Sequence, residues 1–338
     1  MSSADAVAGV LWVALTLYAV FGGADFGSGF WALVAGGSER GKRARALIDW
    51  AIGPVWEANH VWLIFALVIL WTGFPEAFAS VMSTLFIPLC LAALGIVLRG
   101  AGFAFHRIAD RRTGRRLAEA AFAVASVLTP FFMGTVVGAV ASGRVPIGNA
   151  KGDPVTSWLN PVSLVVAALF VAGCAFLAAV FLVSDARRFG DPVLERYFTV
   201  RALAAAVVAG ALAIVGLFVL RDDARYIYDG LTSEGLPFVL ASLVFGTAAL
   251  VLLWRGARRG IRPLAVGALV AVIWGWGAAQ FPYLLPTTLT IEEGAGASQT
   301  LTTLLIVFGV AVVVVLPALA LLFVLDQRTL LGEEAERR

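Results

Sequence analysis

The chain is poor in the residues that hold metals and redox groups. Its 338 residues include only two histidines, two cysteines and three methionines. Cys90 and Cys174 fall within apolar runs and belong to no C-x-x-C pair, so they read as buried packing residues rather than as a disulfide or metal framework. A membrane cytochrome holds its haems through axial His or Met, usually from facing helices. His60, His106, Met1, Met82 and Met133 offer no facing pair, which excludes a chain carrying several haems on its own ligands. Charge is also scarce. Asp, Glu, Lys and Arg make up 14% of the chain, against about a quarter in soluble domains, and a soluble fold is excluded on that ground.

What is abundant is apolar sequence, at 60% of residues with a mean hydropathy of +0.91. A helix needs about 20 apolar residues to span a bilayer core. Runs of that kind, bounded by charge or Gly/Pro clusters, predict helices near 6–35, 47–72, 77–103, 117–141, 160–183, 199–220, 236–254, 263–282 and 301–325. The expected fold is therefore an all-α integral membrane protein of nine transmembrane helices, with residues 1–338 forming a single polytopic domain. The first run has no basic segment before it and no small-residue cleavage site, so it is expected to be a retained anchor.

The basic residues orient these helices. Of the 25 Lys and Arg, nineteen lie in the odd-numbered connections and the C-terminal tail, and four in the even-numbered connections. Arg99 and Arg201 are read at helix ends. That asymmetry predicts an outside N-terminus, a cytoplasmic C-terminus and an odd number of crossings. It also accounts for the net charge of +3 without a nucleic-acid partner.

Two acids stand inside the first two apolar segments: Asp25 in GGADFGSGF and Glu57 in VWEANHVWLIF. An ionisable group at mid-bilayer costs at least about 2.5–3.5 kcal/mol, so it faces protein or water and is a functional candidate. Gly22, Gly23, Gly27, Ser28 and Gly29 beside Asp25 are small enough to let another helix backbone approach. The first two helices are antiparallel about a loop centred near residue 41, which places Asp25 and Glu57 at one depth. Two carboxylates there cannot both stay ionised cheaply, so at least one would hold a proton near neutral pH, as a proton relay requires. The competing reading has each acid bonding a neighbouring helix, with Asn59, Trp56 or Arg99 as partner. Glu57 and His60 have the E-x-x-H spacing of di-iron bundles, but a single copy with two histidines in the chain predicts no metal site. His60 is expected to be a polar packing residue near Glu57. Trp56 and Trp62 flank the polar cluster, and Trp274 and Trp276 precede Gln280; all read as core.

Taken together, GGADFGSGFW (22–31), IGPVWEANHVWLI (52–64), RGAGFAFH (99–106), FFMGTVVGAVASGRVPIG (131–148), FPYLLPTT (281–288) and SQTLT (298–302) resemble subunit II of the cytochrome bd quinol oxidases. The resemblance is collinear along nearly the whole chain. It implies two four-helix bundles plus one peripheral helix in a bacterial plasma membrane. It also implies a complex that oxidises quinol and reduces dioxygen to water, with its b-type and d-type haems in the partner, subunit I. This chain would bind none of them through its own ligands. Small accessory subunits and membrane lipid are further expected partners. By the resemblance, Asp25, Glu57 and Arg99 fall on motif positions, and the subunit supports its partner and lines a proton or oxygen route to it. Some relatives carry further acids where this chain has Gly22 and Ala104, so a route through all of those acids is not intact here. A proton-coupled secondary transporter using Asp25 and Glu57 is the alternative. It lacks the internal repeats and paired broken helices usual for that class. A purely structural subunit is a third reading.

Overall fold

The structure, a computed structural model, describes residues 2–52, 56–108 and 112–327, and the side chains in these ranges except at 52, 56–58, 103–108, 112–117, 316, 319 and 322–327. Helices dominate, and polar residues set their ends. Helix α1 (Ser3–Val34) starts at a capping box in which the Ser2 hydroxyl accepts from Asp5 N–H while the Asp5 carboxylate accepts from Ser2 N–H. A basic helix α2 (Glu39–Ile52) precedes α3 (Trp56–Gly73), and Phe74-Pro75 then breaks the chain into α4 (Pro75–Thr84). Residues 59–73 of α3 and helix α4 meet at 118°, as expected where proline forbids continuation of the preceding helix. Helix α5 (Phe86–Ile108) follows, so the stretch expected as one helix over 77–103 is two.

Helix α6 (Arg112–Ala141) contains Pro130. Asn160 caps α7 (Pro161–Arg188), accepting from Ser163 N–H, and Asp191 caps α8 (Pro192–Asp223), accepting from Val193 and Leu194 N–H. In both, proline occupies the first turn, where its missing N–H costs nothing. A short α9 (Arg225–Thr232) leads to α10 (Leu236–Trp254) and α11 (Ile261–Gln280). An antiparallel hairpin, β1 (Tyr283–Leu285) with β2 (Leu289–Thr290), connects to α12 (Ser298–Gln327). Among the described residues, seven helices are long and apolar enough to cross a membrane, or eight if bent α3–α4 is one span.

Helix α7 is the pivot. It packs on α1 and α6 on one side and on α8 and α11 on the other. Its residues Ala175 to Val183 are almost wholly buried in the largest apolar core cluster, which joins α1, α2, α8, α10 and α11. A second cluster brings the N-terminal half of α1 against α3, α4, the hairpin and the start of α12. Small residues let the helices touch. A Cβ added at Gly27 of α1 would lie 1.9 Å from the Cys174 carbonyl oxygen, and one at Gly138 of α6 would lie 2.4 Å from Ser163 Cα. Gly23 and Gly27, like Gly134 and Gly138, are spaced as small-xxx-small pairs, which permit close crossing of helices in lipid. Outward faces are apolar instead: Val207, Ile214 and Phe218 on α8, Leu243 and Val244 on α10, and Val310, Val313 and Val314 on α12 are all exposed. That inversion suits hydrocarbon as solvent.

Candidate functional site

The polar interior cluster forms where α1, α3, α5, α6 and α7 converge. Arg99 of α5 is fully buried, and its Nη2 donates to Asp25 Oδ1 at 2.5 Å and to the Asp25 carbonyl at 3.2 Å. Asp25 itself is only 7% exposed. The guanidinium lies over two aromatic rings, 4.7 Å from the Phe26 centroid and 4.9 Å from that of Phe122 on α6. Cation–π contact of this kind is worth most when the cation is desolvated. Local sequence explains the close approach of α1 and α5 through α6. Gly29 of α1 sits against Ser126 of α6, and Gly95 of α5 against Thr129, with no room for a Cβ in either place.

Around the pair lies a small aromatic group. Tyr18, Phe26, Trp62 and Cys174 form one buried cluster with Leu17, Phe21, Leu63, Ile96 and Met133 packed on it. Tyr18 meets the rings of Phe26 and His60 edge to face, at 6.5 and 6.0 Å. The His60 ring lies 6.0 Å from that of Phe26. Asn59 Nδ2 donates to the Phe21 carbonyl at 3.4 Å. Thus the first and third helices are tied at this level by backbone as well as side-chain contacts.

These positions bear directly on the expectations from sequence. Asp25, Arg99, Asn59 and His60 are brought together. Arg99 is not at a helix end, since α5 continues to Ile108. Asp25 is held by an arginine, the partner named in the competing reading. The side chains of Glu57, Trp56 and His106 lie outside the described residues. Trp276 is partly buried and packs on Trp12 at 4.9 Å, and Trp12 Nε1 donates to the Ile273 carbonyl. The residue that sequence reading missed is Tyr18. Its signal was present as the spacing Tyr18, Gly22, Asp25, one face of a helix.

Two cavities, of about 200 and about 490 Å³, open between the helices. Neither is lined by a histidine or a methionine. His60, the one histidine whose side chain is described, is packed among aromatic rings. These residues do not fit an axially ligated haem. Among the described residues no three of His, Cys, Asp and Glu gather as a metal site.

The family model for cytochrome bd terminal oxidase subunit II matches residues 4–325. The chain belongs to the cytochrome bd terminal oxidase subunit II family. This subunit II chain is 22% identical, over 96% of each sequence, to a Bacillus subtilis (strain 168) protein described as a cytochrome bd menaquinol oxidase subunit II. It is 26% identical to the cytochrome bd-I ubiquinol oxidase subunit 2 of Escherichia coli (strain K12) over 131 residues, 39% of this chain and 34% of that one. A solved structure of the bd oxidase from Geobacillus thermodenitrificans superposes with a TM-score of 0.76 at 25% identity, covering 96% of this chain and 98% of that one. The subunit II chain is accordingly a multi-pass plasma-membrane component of an oxidoreductase complex.

Proposed function

We propose that the chain is the haem-free subunit II of a quinol-oxidising, dioxygen-reducing cytochrome bd complex, supporting a haem-bearing subunit I and lining a proton route to it with Asp25 and Glu57. The b-type and d-type haems belong to the partner and supply the electron transfer and oxygen reduction. This chain contributes a dry scaffold and groups that hold charge inside it. The observation that carries the reading is the Asp25–Arg99 pair, fully enclosed by this chain on five converging helices. A charge pair in such a place is expensive, and it is retained where function or specificity requires it. Asp25, fixed in place by Arg99, is the stop of that route inside the scaffold. Glu57, one helix away in the sequence-based depth estimate, is the residue that would take the proton up. The chain crosses the membrane nine times in this reading, with the N-terminus outside and the arginine-rich ends cytoplasmic.

The test uses the complex purified in mild detergent from its native membrane. Reduced-minus-oxidised spectra of the wild type should show b-type and d-type haem with a second large hydrophobic chain in equal amount. Asp25→Asn and Glu57→Gln should keep those bands yet slow quinol-driven oxygen consumption by about 10²-fold, the loss usual for a proton-transferring group. Wild-type rates in both variants would leave subunit II a structural support. A colourless protein purifying without such a partner would instead favour the transporter.

A further inference from the structure

We infer that Tyr18 is a positioning residue of this proton route, its hydroxyl holding an internal water-binding site together with Asp25 and Arg99. The inference rests on the route proposed above. Three side chains supply the atoms. Tyr18, Asp25 and Arg99 are 6%, 7% and 0% exposed, and among the described residues no group pairs with Tyr18 Oη, Asp25 Oδ2, Arg99 Nε or Arg99 Nη1. Buried polar atoms almost always have a partner in protein or ordered water. Tyr18 and Arg99 both pack on the Phe26 ring, and Arg99 bonds Asp25, so the three side chains meet around one residue of α1. Their chemistry is complementary to water in particular. The two guanidinium nitrogens only donate, Asp25 Oδ2 only accepts, and the phenol does both. A water needs two to four such partners to be held in an interior.

Gly22 explains why the tyrosine can serve. A Cβ at Gly22 would sit 3.2 Å from Tyr18 Cε2 and 3.6 Å from Cζ, so the ring lies along α1 across the glycine, toward the turn that carries Asp25. Any side chain at position 22 would compete with the ring for that space. The phenol is thus a polar group delivered by a residue one turn earlier to a place where the backbone itself offers nothing.

The experiment compares the intact complex of the wild type with Tyr18→Phe, which removes one oxygen and keeps the ring. A density map fine enough to show waters is paired with the pH profile of quinol-driven oxygen consumption. Expected are a water within hydrogen-bond distance of Tyr18 Oη in the wild type, its loss in Tyr18→Phe, and a rate lowered about two- to tenfold with unchanged haem bands, the worth of one hydrogen bond. Gly22→Ala, which crowds the ring without touching the hydroxyl, should reproduce the loss. A wild-type map with another protein group bonded to Tyr18 Oη overturns the site. Loss of the water with an unaltered rate and pH profile overturns the role. If Asp25→Asn also respires at the wild-type rate while the wild-type water is present, the proton route itself has failed and the water site stands alone.

Discussion

At the scale of single residues, the Asp25–Arg99 pair poses a stability question that is separable from catalysis. Removing one partner of a buried pair strands the other charge and costs about 3–5 kcal/mol, whereas replacing both with apolar groups of similar volume is often neutral. Arg99→Met is therefore expected to lower the unfolding midpoint of the complex in detergent sharply, and the double variant Asp25→Leu/Arg99→Met to recover most of the loss. If the double variant is as unstable as the sum of the singles, the ion pair is not what links α1 to α5. Sequence reading got part of this. Two acids in lipid-facing sequence announce themselves by cost alone, and Arg99 was among the possible partners. What sequence could not supply is the choice between them, because the pairing depends on how α1 and α5 rotate about α6. Tyr18 was invisible for a related reason: a tyrosine in an apolar helix looks like an interfacial or core aromatic until its hydroxyl is found buried.

Helices and their ends obey more local rules, and there the sequence was more informative. Helix starts at 160–161 and 191–192 carry Asn-Pro and Asp-Pro, a cap followed by a first-turn proline, the second of them seven residues before the start expected near 199, and the Phe74-Pro75 break lies between the stretches expected as helices over 47–72 and 77–103. Direction was not readable. Hydropathy reports that 77–103 is apolar but not that α4 turns 118° from α3 and ends before α5 begins. Nor does it separate α9 from its loop, since eight residues are too few for a periodic signal. Two tests belong to this scale. Gly27→Ala places a methyl against backbone atoms of α7 that cannot rotate away, so α1 and α7 must part. A destabilisation of about 1–3 kcal/mol is expected, against none, or a gain of about 0.5–1 kcal/mol, for Gly9→Ala, whose added Cβ meets nothing within 4 Å. Equal effects of the two alanines on thermal stability would show that α1–α7 contact is not limiting. The second concerns the α8 cap. Backbone N–H donation from Leu194 holds the Asp191 carboxyl below its usual range, with the Arg43 guanidinium and Val193 N–H assisting. A lowered folded value means the contribution is present above the unfolded carboxylate range near about pH 4 and is lost as pH falls through the folded value. Asp191→Asn keeps a cap but cannot titrate. Between pH 5 and 3, the wild type should lose more stability than this variant. Parallel pH curves would assign the acid sensitivity to other carboxylates.

For the whole molecule, the proposed orientation draws on the inside-out distribution of apolar surface and on where the arginines fall along the chain. Arg43 and Arg45 lie on α2, Arg187 and Arg188 at the end of α7, and Arg255, Arg258 and Arg259 just after α10. Several of these are also bound into the fold. Arg187 bonds Glu195 and the Ala257 carbonyl, and Arg43 pairs with Asp191, so the end of α7 is tied to α8 and to the loop after α10, and the α8 cap to α2. The opposite end, with the 142–160 loop pinned to α4 through Ser80 and Ser83 and the hairpin after α11, is nearly free of basic residues. Because short basic loops resist translocation, the proposed topology puts all the arginine-rich connections on one side, with an odd number of crossings. The consequence is checkable without knowing the activity. Fusions of a reporter active only outside the membrane should be active when joined in 142–159 and 221–235, and inactive in 36–46, 184–198 and 255–262. A reporter active only in the cytoplasm should give the reverse. Activity on the same side for 142–159 and 255–262 would mean that α7, α8 and α10 do not make three crossings between them. The depth estimate linking Asp25 with Glu57 took residues near 41 as a simple loop, whereas Glu39–Ile52 form α2, so a cytoplasmic signal from a fusion in 36–46 is what would place the two acids on the proton-uptake side.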